Sequence, residues 1–130
     1  MTFEELKPIL AIDENYRIER TVSTGNMDKF QEAICAFAND LPGKRLKGYL
    51  LIGVDDNGNP SGLKVDDALM IKISNIRSDG NILPLPVMST EKVETPQGDV
   101  LVVEVTPSFA TPVRYRGRTF VRIGPRRDIA

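Results

Sequence analysis

The 130-residue sequence contains no histidine. That absence excludes catalysis by Ser-His-Asp or Cys-His groups, zinc sites with histidine ligands, and histidine as a general base. Any catalytic chemistry must therefore use carboxylates, lysine, arginine, tyrosine or hydroxyl groups.

Cysteine and long apolar runs are also scarce. The single cysteine, Cys35, cannot form an internal disulfide, and its place in an apolar helix predicts a buried thiol. No apolar run approaches the roughly 18 residues of a transmembrane helix. The amino-terminal stretch MTFEELKPIL lacks the basic start of a secretory signal. We therefore expect a reduced, cytoplasmic setting and no membrane partner. No Gly-x-x-x-x-Gly-Lys-Ser/Thr loop is present, so no nucleotide cofactor is expected.

The charges nearly balance over the whole chain but are unevenly distributed. Residues 1–104 hold 11 Lys and Arg against 17 Asp and Glu, whereas residues 105–127 hold six arginines and no acidic residue. This asymmetry indicates an anionic partner for the carboxyl-terminal region. The overall pI of about 5.5 is nevertheless low for a protein that binds DNA without sequence preference.

The hydrophobic periodicity predicts an α+β fold in a single domain covering residues 1–130. Helices are expected over 2–10, over 28–39 and after Asp66 or Asp67, and the central strand over Tyr49–Val54. Further strands are expected over 15–22, 61–63, 87–94 and 100–105, with a carboxyl-terminal hairpin of residues 113–116 and 118–123. We expect a mixed β-sheet with the two main helices packed on one face. Any other helix is expected on that same face. The predicted core residues are Phe30, Ile34, Phe37, Leu51, Leu69, Ile73, Val102 and Ile123.

Residues 31–58, QEAICAFANDLPGKRLKGYLLIGVDDNG, form the most distinctive block. The helix ends in Ala36-Phe37-Ala38-Asn39, and the buried strand ends in Gly53-Val54-Asp55-Asp56 before Gly58. This arrangement resembles the core of the Schlafen-type AlbA-like family, also catalogued in bacteria as a DNA-binding or "divergent AAA" domain. Phe120-Val121-Arg122-Ile123-Gly124 resembles a second family motif. The resemblance implies a nucleic-acid-handling module, here the amino-terminal part of a longer protein.

Three carboxylates are the first candidate site. Relatives with ribonuclease activity carry two glutamates five residues apart and an acidic residue at the Gly-Val-Asp-Asp turn, which here correspond to Glu14, Glu19 and Asp55. The resemblance implies a catalytic site in which these carboxylates hold Mg²⁺ or Mn²⁺. Spacing alone puts Glu14 and Glu19 on opposite faces of a strand, so they converge only if Glu14 lies in a bend. The alternative is two solvated glutamates beside a turn formed by Asp55 and Asp56.

Basic residues are the second candidate site. The carboxyl-terminal arginines surround an aromatic residue, which suits phosphate contact and base stacking. The predicted nucleic-acid-binding residues are Arg114, Arg116, Arg118, Phe120 and Arg122, extended by Lys44, Arg45 and Lys47. The alternative is an edge hairpin kept soluble by its charges.

The sequence thus favours a nucleic-acid-binding domain of a bacterial transcriptional regulator, with DNA or RNA as its partner. One alternative is an endoribonuclease that requires a divalent metal and uses Glu14, Glu19 and Asp55. The other is a module for self-association or regulation, for which a homodimer is the expected form. No cofactor is expected outside the nuclease alternative.

Overall fold

The computed structural model describes residues 1–130, which form three α-helices, a short 3₁₀ helix and eight β-strands. The helices are α1 (Phe3–Leu10), α2 (Met27–Asn39) and α3 (Asp67–Ser74), and α3 continues into the 3₁₀ helix Asn75–Arg77. None of the helices is long and apolar enough to cross a membrane. The strands are β1 (Ile18–Thr21), β2 (Gly48–Ile52), β3 (Ile82–Leu83), β4 (Val87–Thr95), β5 (Gly98–Thr106), β6 (Arg114–Tyr115), β7 (Phe120–Ile123) and β8 (Arg126–Ile129).

Four strands form the main sheet in the order β1-β2-β5-β4. Strand β1 runs parallel to β2, whereas β5 is antiparallel to both of its neighbours, so the predicted mixed sheet is confirmed. The predicted central strand is an inner strand, but it ends at Ile52 because Gly53 adopts a φ of 95° and turns the chain. The strand expected over 61–63 is absent, and only an isolated bridge joins Val54 to Pro60.

The inner strands of the main sheet, β2 and β5, are buried on both faces. Leu50 and Ile52 of β2 belong to a cluster with α2 and α3, whereas the intervening Leu51 belongs to a cluster with Leu6 of α1. Side chains of a strand alternate between faces, so the buried residues 50–52 of β2 are all apolar, as a strand covered on both faces requires. The two main helices therefore lie on one face, as predicted. The expectation that all helices share that face is wrong, because α1 covers the other one.

Most of the predicted core is buried. Of the eight residues named from periodicity, six are buried, Leu69 is half-buried, and Ile123 is 51% exposed. The prediction for Ile123 is wrong because its neighbour Arg122 points inward instead, at 2% exposure. Adjacent side chains on a strand point in opposite directions, so Ile123 shares its face with Val121, and that face is covered at Val121 but not at Ile123.

The carboxyl-terminal hairpin is present, but its strands differ from the predicted ones. Strand β6 pairs with β3, and β7 pairs with β8, so the hairpin spans 120–129. Residues 113–116 and 118–123 do not form a hairpin, because only an isolated bridge joins Tyr115 to Arg118. The tight turn between those two residues uses positive φ angles at Arg116 and Gly117.

Candidate functional site

A buried ion pair joins the start of the main sheet to the carboxyl-terminal hairpin. Arg122 donates from one guanidinium nitrogen to Glu19, which is 5% exposed. Its other terminal nitrogen donates to the carbonyl oxygens of Asn15, Ile18 and Pro125 at 2.8, 3.0 and 3.1 Å. Burial lowers the pKa of Arg122, and the neighbouring Glu19 carboxylate opposes that effect. The prediction that Arg122 contacts nucleic acid is corrected here, because every terminal nitrogen of its guanidinium is occupied inside the protein.

Glu19 also pairs with a second arginine. The Nε of Arg127 lies 3.2 Å from Glu19 Oε1, and its terminal nitrogen lies 2.7 Å from Glu32. The second carboxylate oxygen of Glu19, Oε2, is buried and has no hydrogen-bond partner in the protein. Sequence reasoning missed Arg127, although its place in the second strand of a hairpin could have been inferred from the Gly124-Pro125 turn.

A polar cleft of about 370 Å³ lies beside this ion pair. Its lining residues are Glu14, Glu19, Arg20, Lys29, Asp56, Pro125, Arg126 and Arg127. The third carboxylate on the cleft is thus Asp56. The sequence predicted Asp55 instead, and that prediction is wrong. Asp55 instead accepts the backbone N–H groups of Asn57 and Asn59, both at 2.9 Å, and so stabilises its own turn.

The carboxylates of the cleft do not form a metal ligand set. No group of three or more acidic or cysteine side chains in the protein is arranged to hold a metal ion. Glu14 is exposed and accepts the backbone N–H of Arg20 at 3.3 Å, and Oε1 of Glu19 is already held by two guanidinium groups. A hard divalent cation requires several unoccupied oxygens around one point. The residues present therefore do not fit Mg²⁺ or Mn²⁺.

Three predicted arginines lie on β6 and the tight turn that follows it, and none of them has an acidic partner. Arg114, Arg116 and Arg118 are exposed, and no carboxylate lies within 4.0 Å of their charged nitrogens. Arg114 and Arg116 line a shallow depression of about 360 Å³ with Gly80, Asn81, Leu83 and Gly117. These cations are available to an anionic ligand.

Tyr115 fixes the turn that carries these arginines. Its hydroxyl donates to Asp28 and accepts from Gln31, both on α2. Burial, aided by the Asp28 hydrogen bond, raises the pKa of Tyr115 to about 12, so the hydroxyl stays protonated. The backbone N–H of Arg116 also donates to the Asn81 carbonyl at 2.8 Å. The arginine-bearing segment is thus tied to both α2 and the loop before β3.

Phe120 belongs to the hydrophobic core. Its ring is 8% exposed and lies 6.2 Å from the Tyr115 ring, centroid to centroid. The prediction that Phe120 stacks on a base is therefore wrong for this structure. Alternation alone could not reveal this, because β7, which packs against α2, buries three successive residues.

The basic residues of the α2–β2 connection are exposed, but they are engaged to different extents. Lys47 pairs with Glu104 at 3.0 Å, and Lys44 lies 5.8 Å from the Tyr16 ring centroid. Arg45 donates to the carbonyl oxygens of two residues in the β5–β6 loop, and its guanidinium lies 4.1 Å from the Phe109 ring centroid. Phe109 is 95% exposed and was missed by sequence reasoning. Its place between Pro107 and Pro112, in a loop with no charged residue, could have marked it.

Comparison with known families gives a match for nearly the whole chain. The model of the family described as Schlafen, AlbA_2 matches residues 14–130. The chain belongs to this family. The Schlafen AlbA_2 match begins after α1, so that helix, which covers the second face of the sheet, precedes the matched region.

Solved structures share the fold of this Schlafen AlbA_2 domain. One is the amino-terminal domain of a RecG-related protein from Nitrosomonas europaea, with 28% identity, a TM-score of 0.62, and coverage of 88% of this chain and 79% of that one. Another is the DIP2311 protein from Corynebacterium diphtheriae, with 20% identity and a TM-score of 0.60. That match covers 98% of this chain but only 29% of the other protein. No curated protein matches the chain.

Proposed function

We propose that this Schlafen AlbA_2 domain binds nucleic acid and that Arg114, Arg116 and Arg118 contact its phosphate groups. The observation that carries the proposal is the cluster itself: three exposed arginines on a fixed turn, none paired with a carboxylate. Surface arginines without a partner leave their bidentate donors free, and phosphate oxygens match that donor geometry.

The distribution of charge and one structural relative support this proposal. The six arginines of residues 105–127 occur without an acidic residue, although the chain as a whole carries a net charge of −1. The Nitrosomonas europaea relative is named for its relation to the ATP-dependent DNA helicase RecG. Within the proposal, the domain is the DNA- or RNA-contacting module of a bacterial transcriptional regulator, as the family resemblance implies.

A salt titration of binding tests the proposal. Each phosphate that a protein neutralises contributes about 0.9 to the log–log slope of duplex affinity against salt concentration. Replacing Arg114, Arg116 and Arg118 together by alanine should weaken duplex binding and flatten that slope by up to about 2.7. Fluorescence anisotropy of a labelled duplex at several salt concentrations measures both quantities.

A matched variant removes the same charge elsewhere. Lys64, Lys72 and Arg77 are exposed, have no carboxylate within 4.0 Å, and lie on or beside α3 and the 3₁₀ helix. Their triple alanine variant should keep most of the affinity and slope. If both triple variants lose the same affinity and slope, net charge alone determines binding. If the salt titration of the arginine variant is unchanged, the self-association alternative is favoured.

The nuclease alternative has less support. Glu19 is engaged by two arginines, and the third carboxylate of the proposed set, Asp55, stabilises its own turn. We therefore propose binding without metal-dependent cleavage.

A further inference from the structure

A nearly fully exposed aromatic ring, Phe109, lies in the β5–β6 loop beside Arg45 of the basic α2–β2 connection. Phe109 is 95% exposed, the largest exposed fraction among the exposed large hydrophobic residues of the protein. An exposed phenyl ring contributes nothing to the hydrophobic core, so its exposure does not serve the stability of the isolated domain.

The Arg45 guanidinium lies beside the Phe109 ring and is held there by hydrogen bonds. Its guanidinium lies 4.1 Å from the Phe109 ring centroid and donates to the carbonyl oxygens of Pro107 and Ser108, both at 2.9 Å. Its own backbone N–H donates to Asp40 at 2.8 Å. The cation is therefore oriented before any ligand arrives, which lowers the entropic cost of binding.

The loop that carries Phe109 is tied down at both ends. The Ser108 N–H donates to the Ala38 carbonyl at 2.9 Å, and the Val113 N–H donates to the Asn39 side chain at 2.7 Å. Since both anchors lie at the end of α2, the intervening residues form a closed loop with Phe109 near its start. The Phe109 ring therefore lies in a loop that is hydrogen-bonded to α2 at both ends.

The charges around Phe109 indicate which ligand it takes. The connection 41–47 carries Lys44, Arg45 and Lys47, and the loop 107–113 carries no charge. Lys47 pairs with Glu104 at 3.0 Å, whereas Lys44 and the Arg45 guanidinium have no carboxylate within 4.0 Å. An anionic ligand with a flat apolar face fits this combination. Unpaired bases of a single-stranded nucleic acid offer that face beside phosphates, whereas a duplex keeps its bases stacked inside.

We propose that Phe109 and Arg45 form a stacking platform for an unpaired base of single-stranded DNA or RNA. The inference deepens the proposed function, on which it rests, by giving the domain a preference for single strands. Phe109 and Arg114 are five residues apart, at most about 18 Å along an extended chain. A short oligonucleotide is therefore long enough to span the platform and the unpaired arginines.

Abasic oligonucleotides separate stacking from phosphate contact. The wild-type protein should bind a short single strand more tightly than an abasic strand of the same length. Phe109→Ala should remove that difference, weakening binding to the base-containing strand about 5- to 150-fold. Phe109→Tyr should restore it, and the thermal stability of both variants should match that of the wild type because the ring is exposed.

A tryptophan reporter locates the contact. The chain has no tryptophan, so Phe109→Trp introduces a single indole whose fluorescence should be quenched by the base-containing strand and not by the abasic strand. Leu85→Trp, at an exposed position between β3 and β4, is the matched control and should not respond. Quenching at position 109 that follows protein concentration without oligonucleotide would assign the ring to contact with a second copy and overturn the proposal.

The remaining outcomes distinguish this inference from the proposed function. If replacing Arg114, Arg116 and Arg118 by alanine weakens binding but Phe109→Ala does not, the phosphate contacts stand and the stacking platform is wrong. Equal affinity of the wild type for base-containing and abasic strands would also refute stacking. If no nucleic acid binds at all, both proposals fall.

Discussion

Glu19 holds the carboxyl-terminal hairpin against β1 through Arg122 and Arg127. The pair between Glu19 and Arg122 is almost entirely shielded from water, with side chains 6% and 2% exposed. Removing one member of such a pair leaves the other charge buried and uncompensated, which costs far more than the loss of a surface ion pair. The role of Glu19 in this structure is therefore structural.

Glu19→Gln should lower the free energy of unfolding by about 3–5 kcal/mol, since the Arg122 charge stays buried without its partner. Glu14→Gln is the control, because Glu14 is exposed and its change should cost less than about 0.5 kcal/mol. Urea unfolding followed by circular dichroism measures both values. Similar stabilities of the two variants would contradict the structural role of Glu19. If Glu19→Gln is destabilised as expected, loss of activity in a Glu19 variant cannot by itself identify Glu19 as a catalytic residue.

Helix α2 organises the elements around it through its carboxyl-terminal end. The Asn39 side chain donates to the carbonyl oxygens of Val113 and Phe120 at 2.9 and 2.8 Å, so one amide ties the segments of β6 and β7 to the helix. On the sheet side, Phe37 packs directly over Gly48, the first residue of β2. A Cβ atom at that position would overlap the Phe37 ring.

Gly48→Ala should lower the free energy of unfolding by about 1–3 kcal/mol, because the added methyl group pushes α2 away from the sheet in a close-packed core. Gly25→Ala is the matched control: no atom lies within 4 Å of its added Cβ, and its φ is not positive. Chemical denaturation of the two variants compares them. If the substitution at residue 48 were as harmless as that at residue 25, the close contact between α2 and β2 would be refuted.

The whole molecule carries a net charge of −1, but its charges are distributed unevenly between a basic turn and a cleft of mixed charge. The unpaired arginines lie on the β6 turn, whereas the carboxylates Glu14, Glu19 and Asp56 line a cleft that also contains Lys29, Arg126 and Arg127. Mixed charges of this kind neutralise one another locally. The cleft therefore lacks the concentrated negative charge that attracts a divalent cation.

Addition of Mn²⁺ should leave the melting temperature unchanged, because no three carboxylates converge on one point. A ligand at 100 times its dissociation constant would stabilise the fold by about 2.7 kcal/mol, which a thermal melt detects easily. A structured RNA should likewise remain intact when incubated with the metal. A rise in melting temperature that disappears in Glu14→Gln and Asp56→Asn would show that the cleft does bind a cation.

Sequence periodicity was enough to predict the α+β class, the two main helices and the inner strand β2. These features depend on local patterns. Helix α2 begins after the Asn26 cap and repeats its apolar residues at helical spacing. Residues 50–52 of β2 are all apolar, which is typical of a strand covered on both faces. The family resemblance, carried by residues 36–39 and 53–58, was likewise local and was confirmed.

Only the tertiary structure decided which polar residues face solvent. Side chains of a strand alternate between its two faces, but the sequence does not show which set points inward. Arg122 was expected outside and Ile123 inside, and the structure has the reverse because Glu19 supplies a buried partner for Arg122. The same limit applies to Asp55 and Asp56, where hydrogen bonding within the turn decided which carboxylate reaches the cleft. It also applies to the pairing of β6 and to the exposure of Phe109, since contacts between residues distant in sequence leave no periodic signal.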